Sequence, residues 1–317
     1  MKTRIGIVGY GNLGKAVELE ILKNSQFKLI AIFSRRSVVS KFKTPVEPYQ
    51  NFELFKNKID VMILCGGSMQ DLEPQTELLA RFFDCINSFD THLKIFDHIN
   101  TINKIATESR HHVIVSCGWD PGLFSNIRAL TFKILNEEPY TFWGKGISMG
   151  HSDALRQIDG VDDGVQFTIP NKDAIKLARQ NKLDSQTPRH YRECFVSSSG
   201  QYKDVIETKI KNLPNYFKDQ PTSIKFISQE RLLKLKSKMF HSGEIIGSSL
   251  SADASKFLIN FKVKMSSNPA FTAKIMTAYI DAILNLKQTQ TFGAFTPLDI
   301  PVSYLFQNRE SLIKKFC

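Results

Sequence analysis

Residues Arg4 to Gly14 read RIGIVGYGNLG, an apolar run that enters glycines at Gly9, Gly11 and Gly14 and passes straight into a helical pattern from Leu13 to Leu22. This order of strand, glycine turn and helix constrains the fold more than any other feature of the chain. In such a turn the first glycine permits a tight reversal and the second lets backbone approach a pyrophosphate. The third lets the helix pack close to the strand, with its N-terminus facing the phosphate charge. The segment predicts a dinucleotide site built from Gly9, Tyr10, Gly11, Asn12, Leu13 and Gly14. The alternative is a purely structural glycine turn.

The chain from Leu29 to Val115 keeps the same rhythm. Apolar runs at Leu29–Phe33, Val61–Leu64, Val113–Val115 and, more weakly, Cys85–Asn87 alternate with helical spacing over Glu73–Phe83 and Leu93–Thr107. That alternation predicts an α/β, doubly wound Rossmann domain with a parallel sheet. From Gly122 the texture changes to strands such as Tyr140–Trp143 and Val165–Ile169 mixed with helices such as Lys172–Gln180 and Val205–Ile210, an α+β domain. A length of 317 residues suits about two domains. The strand Phe257–Met265 alternates apolar and mostly polar residues, so one face is expected in the core and the other wet. Asn268 and Pro269 then suggest an N-cap and first-turn proline for a helix of about 18 residues, with Phe271, Ile275, Ala278, Ala282 and Leu286 on one stripe. Such a helix either packs back on the first domain or forms an interface. The expected division is 1–121, rejoined by 270–317, and a substrate-binding and dimerisation domain over 122–269.

Cofactor choice is read at the end of the second strand, where an NAD enzyme offers an acid to the ribose. Here stand Ser34, Arg35 and Arg36. A hydroxyl and two guanidinium groups suit a 2′-phosphate, so NADP is expected; otherwise the arginines merely cap a surface strand. Cys65, Gly66, Gly67 and Ser68 follow another strand and either line the nicotinamide side or form an ordinary tight turn. Asp90 and Asp120 each follow a strand candidate, and with Trp119, Pro121 and Gly122 they are expected to converge on the same crevice; singly, either reads equally well as a structural cap.

Composition narrows the class. There are 42 Lys and Arg against 31 Asp and Glu, a formal charge of +11, yet the cations are scattered, with the densest stretch at Arg231–Lys238. A solvated surface and an anionic small ligand are preferred over nucleic acid. Five cysteines with no CxxC pair and seven histidines with no HExxH predict reduced thiols and no metal site. No apolar run reaches the roughly 18 residues of a membrane span, and the N-terminus shows no cleavable apolar region, so a cytoplasmic protein is expected.

The stretches VGYGNLG (Val8–Gly14), FSRR (Phe33–Arg36), CGWDPG (Cys117–Gly122), TFWGKGISMGHSDALR (Thr141–Arg156), RECF (Arg192–Phe195) and SNPAFTA (Ser267–Ala273) together resemble the meso-diaminopimelate D-dehydrogenase family, from Arg4 to about Tyr304. That resemblance implies NADP-dependent oxidative deamination of the D-centre of meso-2,6-diaminopimelate to L-2-amino-6-oxopimelate and ammonia, reversible in lysine and diaminopimelate biosynthesis, by a homodimer. It also implies that Asp90 and Asp120 hold the reacting amino group, that Trp119, Phe142 and Trp143 wall the site, and that Thr168, Arg192, His241 and Asn268 grip the distal carboxylate and amine. Met149 stands where many family members have Gln, which leaves the backbone amides of Met149 and Gly150 for the reacting carboxylate. The loop MFHSGEI at Met239–Ile245 also departs from the family's more glycine- and histidine-rich version. Competing readings are an NADP-linked reductase acting on a semialdehyde or a cyclic imine and a non-catalytic NADP sensor. An acylating semialdehyde enzyme would need Cys117 as its nucleophile.

Overall fold

The run Ile5–Val8 is buried throughout, as expected of a central strand covered on both faces. The computed structural model describes residues 2–200, 202–214, 216–237 and 239–317. In chain order the first elements are β1 (Thr3–Val8), α1 (Asn12–Lys23), β2 (Phe27–Ser34), β3 (Val46–Pro48), β4 (Val61–Leu64), α2 (Leu72–Leu79), β5 (Asp84–Asn87), α3 (Ile95–Ser109), β6 (His112–Ile114) and α4 (Leu123–Leu135). Then come β7 (Tyr140–Trp143), β8 (Gly146–Ser148), α5 (Met149–Arg156), β9 (Asp163–Pro170), α6 (Lys172–Arg179), β10 (His190–Ser197), α7 (Lys203–Lys211), β11 (Thr222–Phe226), α8 (Gln229–Lys236), β12 (His241–Leu250) and β13 (Lys256–Met265). The chain closes with α9 (Asn268–Ala278), α10 (Ile280–Thr289), β14 (Gly293–Phe295) and α11 (Arg309–Phe316). Among the described residues no helix is long and apolar enough to cross a membrane.

Two compact units result, Met1–Asn126 with Pro269–Cys317, and Ile127–Asn268. The first holds a parallel sheet ordered β14-β6-β5-β4-β1-β2-β3. One face buries Ile5 and Ile7 against Val17, Ile21, Ile280 and Ile283; the other buries Val8, Phe33 and Leu64 against Leu72, Leu79 and Ile102. The strand order reverses at β1, so β1, β2 and β4 diverge there and open a crevice at their carboxyl ends.

The second unit has a sheet ordered β11-β10-β9-β8 and another ordered β13-β12-β7. In the first of these β9 pairs antiparallel with β10, setting Thr168 opposite Arg192.

Four expectations change. Strands β3 and β14 were not anticipated: each is three residues long, and β3 ends on a proline at the sheet's edge. The helix expected after Asn268 begins on that residue, so Pro269 falls at its second position, and it is broken at Tyr279 into α9 and α10. Of the expected stripe Ala282 and Leu286 are buried, Phe271 and Ile275 are half-buried and Ala278 is exposed; Thr272, Ala273, Met276, Tyr279, Ile280 and Ile283 are buried as well. On β13 only Met265 of the expected core face is buried, while Phe257 is 51% exposed. The basic stretch from Arg231 lies in α8 with Leu232 buried beneath it; Lys238 lies outside the described residues.

Candidate functional site

The first unit carries a crevice of about 620 Å3 lined by Gly9, Tyr10, Gly11, Ser34, Arg35, Arg36, Cys65, Gly66 and Gly67, all expected, together with Val8, Phe33, Tyr49, Asp71 and Gln75. Backbone bonds from Gly9 N to the Phe33 carbonyl (2.9 Å) and from Cys65 N to the Val8 carbonyl (2.7 Å) hold the three strand ends together. Gly9 has φ +90°, and a side chain there would press on the Cys65 carbonyl. At Gly11 a Cβ would meet nothing within 4 Å, so the backbone stands open to the crevice. Gly11 is also the N-cap of α1, and no side chain caps it, which leaves first-turn amides for an anion. A dinucleotide fits this cradle. Asn12, Leu13 and Gly14 form the first turn of α1 rather than the crevice lining, and a Cβ on Gly14 would collide with the Gly9 carbonyl.

After β2 the Ser34 hydroxyl donates to the Arg36 carbonyl (2.9 Å) and accepts from Arg36 N (3.1 Å), making the turn that presents both arginines. Arg35 donates to Asp71 at 2.5 Å, and the other oxygen of Asp71 accepts from Gly67 N at 3.0 Å. Asp71 therefore ties the arginine turn to the glycine turn after β4. It escaped sequence reasoning, although its place four residues after Gly67, just ahead of α2, was a usable signal. Ser68 does not line the crevice; its hydroxyl accepts from Asp90 N at 2.8 Å.

Asp90 and Asp120 come from loops that one buried side chain joins. The Asn87 carboxamide oxygen accepts from Phe89 N (3.0 Å) and Ser116 N (3.2 Å), and its nitrogen donates to Thr76 (3.0 Å). Asn87 is a positioning residue missed from sequence. Asp90 is exposed, but desolvation by the chain packed around it pushes its pKa above the ordinary 3.8, and the charge of Asp120 pushes the same way. Asp120 sits in a tight loop in which Gly118 N bonds the Pro121 carbonyl at 3.0 Å and Gly122 N bonds Ser125 at 3.1 Å. Gly122 has φ +128° and abuts Gly118. Pro121 and Gly122 thus shape this loop and are absent from the crevice lining. Trp119 is buried edge-on against Phe124 at 5.1 Å. Cys117 is fully buried, and burial pushes its thiol well up, so it is no nucleophile.

In the second unit Thr168, Arg192, Trp143 and His241 gather around two histidines that were not anticipated. Arg192 donates to Thr168 Oγ1 at 2.7 Å, its Nε is buried without a partner, and it makes no ion pair among the described residues. Burial lowers the pKa of this guanidinium. His190 lies two residues before Arg192 on β10, on the same face. Its Nε2 accepts from Trp143 N at 2.7 Å and its ring stacks on Trp143 at 5.2 Å. Burial, then the Arg192 charge, pushes His190 down to about 3. His151 bonds Ser148 at 2.9 Å and meets Tyr216 and Phe217 edge-on; the same two causes push it down to about 4. His241 is buried, with Nδ1 2.8 Å from the Ser242 carbonyl, and stands so close to Gly146 that no side chain fits there. Phe142 lies instead in a core with Ala174, Ala178 and Ile246. Met149 is 41% exposed at the start of α5, and Gly150 beside it has open space where a Cβ would stand. Asn268 bonds the Met239 carbonyl through its backbone N at 2.7 Å. Among the described residues no group of acids, histidines or cysteines could hold a metal.

Strand order, glycine cradle and arginine turn define the first unit as a Rossmann-type dinucleotide-binding domain. Residues 118–267 match the family model described as the diaminopimelic acid dehydrogenase C-terminal domain. The meso-diaminopimelate D-dehydrogenase of Ureibacillus thermosphaericus is 44% identical over 311 residues, covering 96% of this chain and 95% of that one. The structure of C. glutamicum DAP dehydrogenase in complex with DAP superposes with a TM-score of 0.95 at 35% identity, covering 100% and 99% of the two chains. An engineered D-amino acid dehydrogenase bound to NADP+ superposes with a TM-score of 0.92 at 34% identity, with both chains covered in full. The chain belongs to the meso-diaminopimelate D-dehydrogenase family.

Proposed function

We propose that this chain catalyses the NADP-dependent oxidative deamination of the D-centre of meso-2,6-diaminopimelate. The products are ammonia and L-2-amino-6-oxopimelate, which cyclises to tetrahydrodipicolinate, and the reverse reaction serves lysine and diaminopimelate biosynthesis. One observation carries the substrate reading: Arg192 is a mostly enclosed cation without a counter-ion among the described residues. Such a charge is costly unless a ligand carboxylate completes it, and a planar fork suits a carboxylate.

The crevice residues fit NADP, which supplies the hydride acceptor when bound. Backbone at Gly9 to Gly14 takes the pyrophosphate, and Ser34, Arg35 and Arg36 take the 2′-phosphate. Asp90 and Asp120 orient the reacting amine and accept its proton, because a neutral nitrogen releases the hydride from its carbon more readily. Amides of Met149 and Gly150 serve the reacting carboxylate, and Trp119 and Trp143 exclude water. Thr168, Arg192, His241 and Asn268 hold the distal end, and neutral His190 and His151 keep a second full charge away from Arg192.

The working form is a homodimer in the cytoplasm. Half-exposed Phe257 and Leu258 on β13 and exposed Leu130 and Ile134 on α4 support an interface in the second unit. The deciding experiment is NADP reduction measured with each diaminopimelate stereoisomer. Reduction with the meso form alone is expected. Activity with the L,L form and none with meso would overturn the reading.

A further inference from the structure

A second cavity, of about 370 Å3, opens in the first unit at the opposite, amino-terminal ends of the sheet strands. Arg4 on β1, Asp60 before β4, Asp84 at the start of β5 and His112 at the start of β6 line it, with Lys56, Arg110, His111 and Lys287. Four Lys and Arg cations therefore face two carboxylates. Both carboxylates are already satisfied. Asp60 takes Arg4 NH2 at 2.6 Å and Arg4 Nε at 3.1 Å. Asp84, 4% exposed, takes Lys287 at 2.7 Å, His112 N at 2.7 Å and His112 Nδ1 at 3.1 Å.

What is left over has no acceptor. Lys56 and Arg110 make no side-chain hydrogen bond or ion pair among the described residues and lie only over the rings of Phe82 (5.5 Å) and Phe292 (5.1 Å). The ring of His112 is 2% exposed, and its Nε2 is buried without a partner. Lys56 and Arg110 are both exposed, yet each is laid against an aromatic ring, Phe82 or Phe292, that lines the same cavity, so two cations without a counter-ion among the described residues stand at one opening. Ile59, Phe82, Phe83 and Phe292 supply apolar wall for a carbon body.

We propose that this cavity is a second ligand site, for a compact organic anion whose phosphate or carboxylate head is bound by Arg110 and Lys56. Its volume falls in the range of small-molecule sites and well below that of the 620 Å3 crevice, so the ligand is smaller than a dinucleotide. The site is independent of the dehydrogenase reading, since none of these residues lines the dinucleotide crevice.

The test uses the full chain saturated with NADP, titrated calorimetrically with inorganic pyrophosphate and, separately, tricarballylate. The comparison protein carries Lys56→Gln with Arg110→Asn; asparagine tolerates the left-handed φ of 58° at residue 110. Before any probe is added this variant should match the parent in Tm and activity, because both side chains make only ring contacts. The parent is expected to bind at least one probe, and at ten times its Kd to gain about 2–4 °C in Tm. The double variant should bind at least tenfold more weakly, while Arg35→Ala, altered in the other crevice, binds as the parent does. The tighter probe identifies the head group as phosphate or carboxylate. Failure of both probes to bind, or equal binding by parent and double variant, would overturn the site.

Discussion

The Tyr10 hydroxyl donates to the carboxylate of fully buried Glu18 at 2.5 Å. The same carboxylate takes the hydroxyls of Ser40 (2.5 Å) and Thr44 (2.6 Å). One acid on α1 thus anchors both the glycine turn and the segment that follows the arginine pair. Glu18→Ala leaves three hydroxyls without an acceptor, a loss of about 3 kcal/mol. Thermal unfolding should fall by roughly 6–12 °C, with a raised KM for NADP. An unchanged Tm would show that the hydroxyls find other partners.

Arg35→Ala combined with Arg36→Ala should raise KM for NADP by about 10–100-fold, the worth of one or two charge-assisted hydrogen bonds. KM for NAD should change little, because NAD lacks the phosphate. Steady-state kinetics with both cofactors reads this directly. Equal weakening would place the 2′-phosphate elsewhere.

Arg192→Met should separate stability from function. The substitution removes a mostly buried cation that has no counter-ion among the described residues, so the unliganded protein should melt at a higher temperature. Loss of the carboxylate partner should lower kcat/KM for meso-diaminopimelate by about 100-fold or more, with KM for NADP unaltered. A variant that melts lower and keeps its activity would refute both halves.

Asp90 carries the pH dependence. Desolvation by the surrounding chain raises its folded pKa above the unfolded 3.8, so its contribution to stability is complete below that value and is lost as pH rises through the folded pKa. Asp90→Asn should therefore raise Tm at pH 7, by an amount that shrinks as pH falls toward 3.8. In the active enzyme the same titration should give an acidic limb in kcat/KM that the asparagine variant lacks. A pH-independent difference in Tm would contradict this.

Cys117→Ala should retain kcat/KM within about twofold and lose only the roughly 1 kcal/mol of a small core truncation. Inactivation without unfolding would bring the acylating chemistry back.

Much of the nucleotide half was legible because its signals are local. The glycines of Gly9–Gly14 must follow a strand and open a helix, and Ser34 to Arg36 stand at the end of the next strand. Tyr49 and Gln75 were not legible, since only the closed sheet brings them to the crevice, whereas Asp71 was signalled by its place just ahead of α2. β14 is three residues that pair with β6 from the far end of the chain, too short for an alternation to show. The second unit was read mainly through resemblance. His190 could have been found by counting back two from Arg192 on one strand, whereas the missing counter-ion of Arg192 shows only once Thr168 is seen opposite. Alternation on β13 was plain, but a period of two cannot say whether the apolar face is covered.

The nucleotide sheet takes in both β1, near residue 3, and β14, near residue 293. Ile280 and Ile283 complete the core over Ile5 and Ile7, and β14 pairs with β6. During synthesis the N-terminal half must therefore wait, with an apolar face uncovered, while the whole of Ile127–Asn268 is made and can fold. A chain cut after β13 would keep every glycine of the fingerprint and still expose that face, so such fragments should be captured by chaperones or aggregate rather than bind nucleotide.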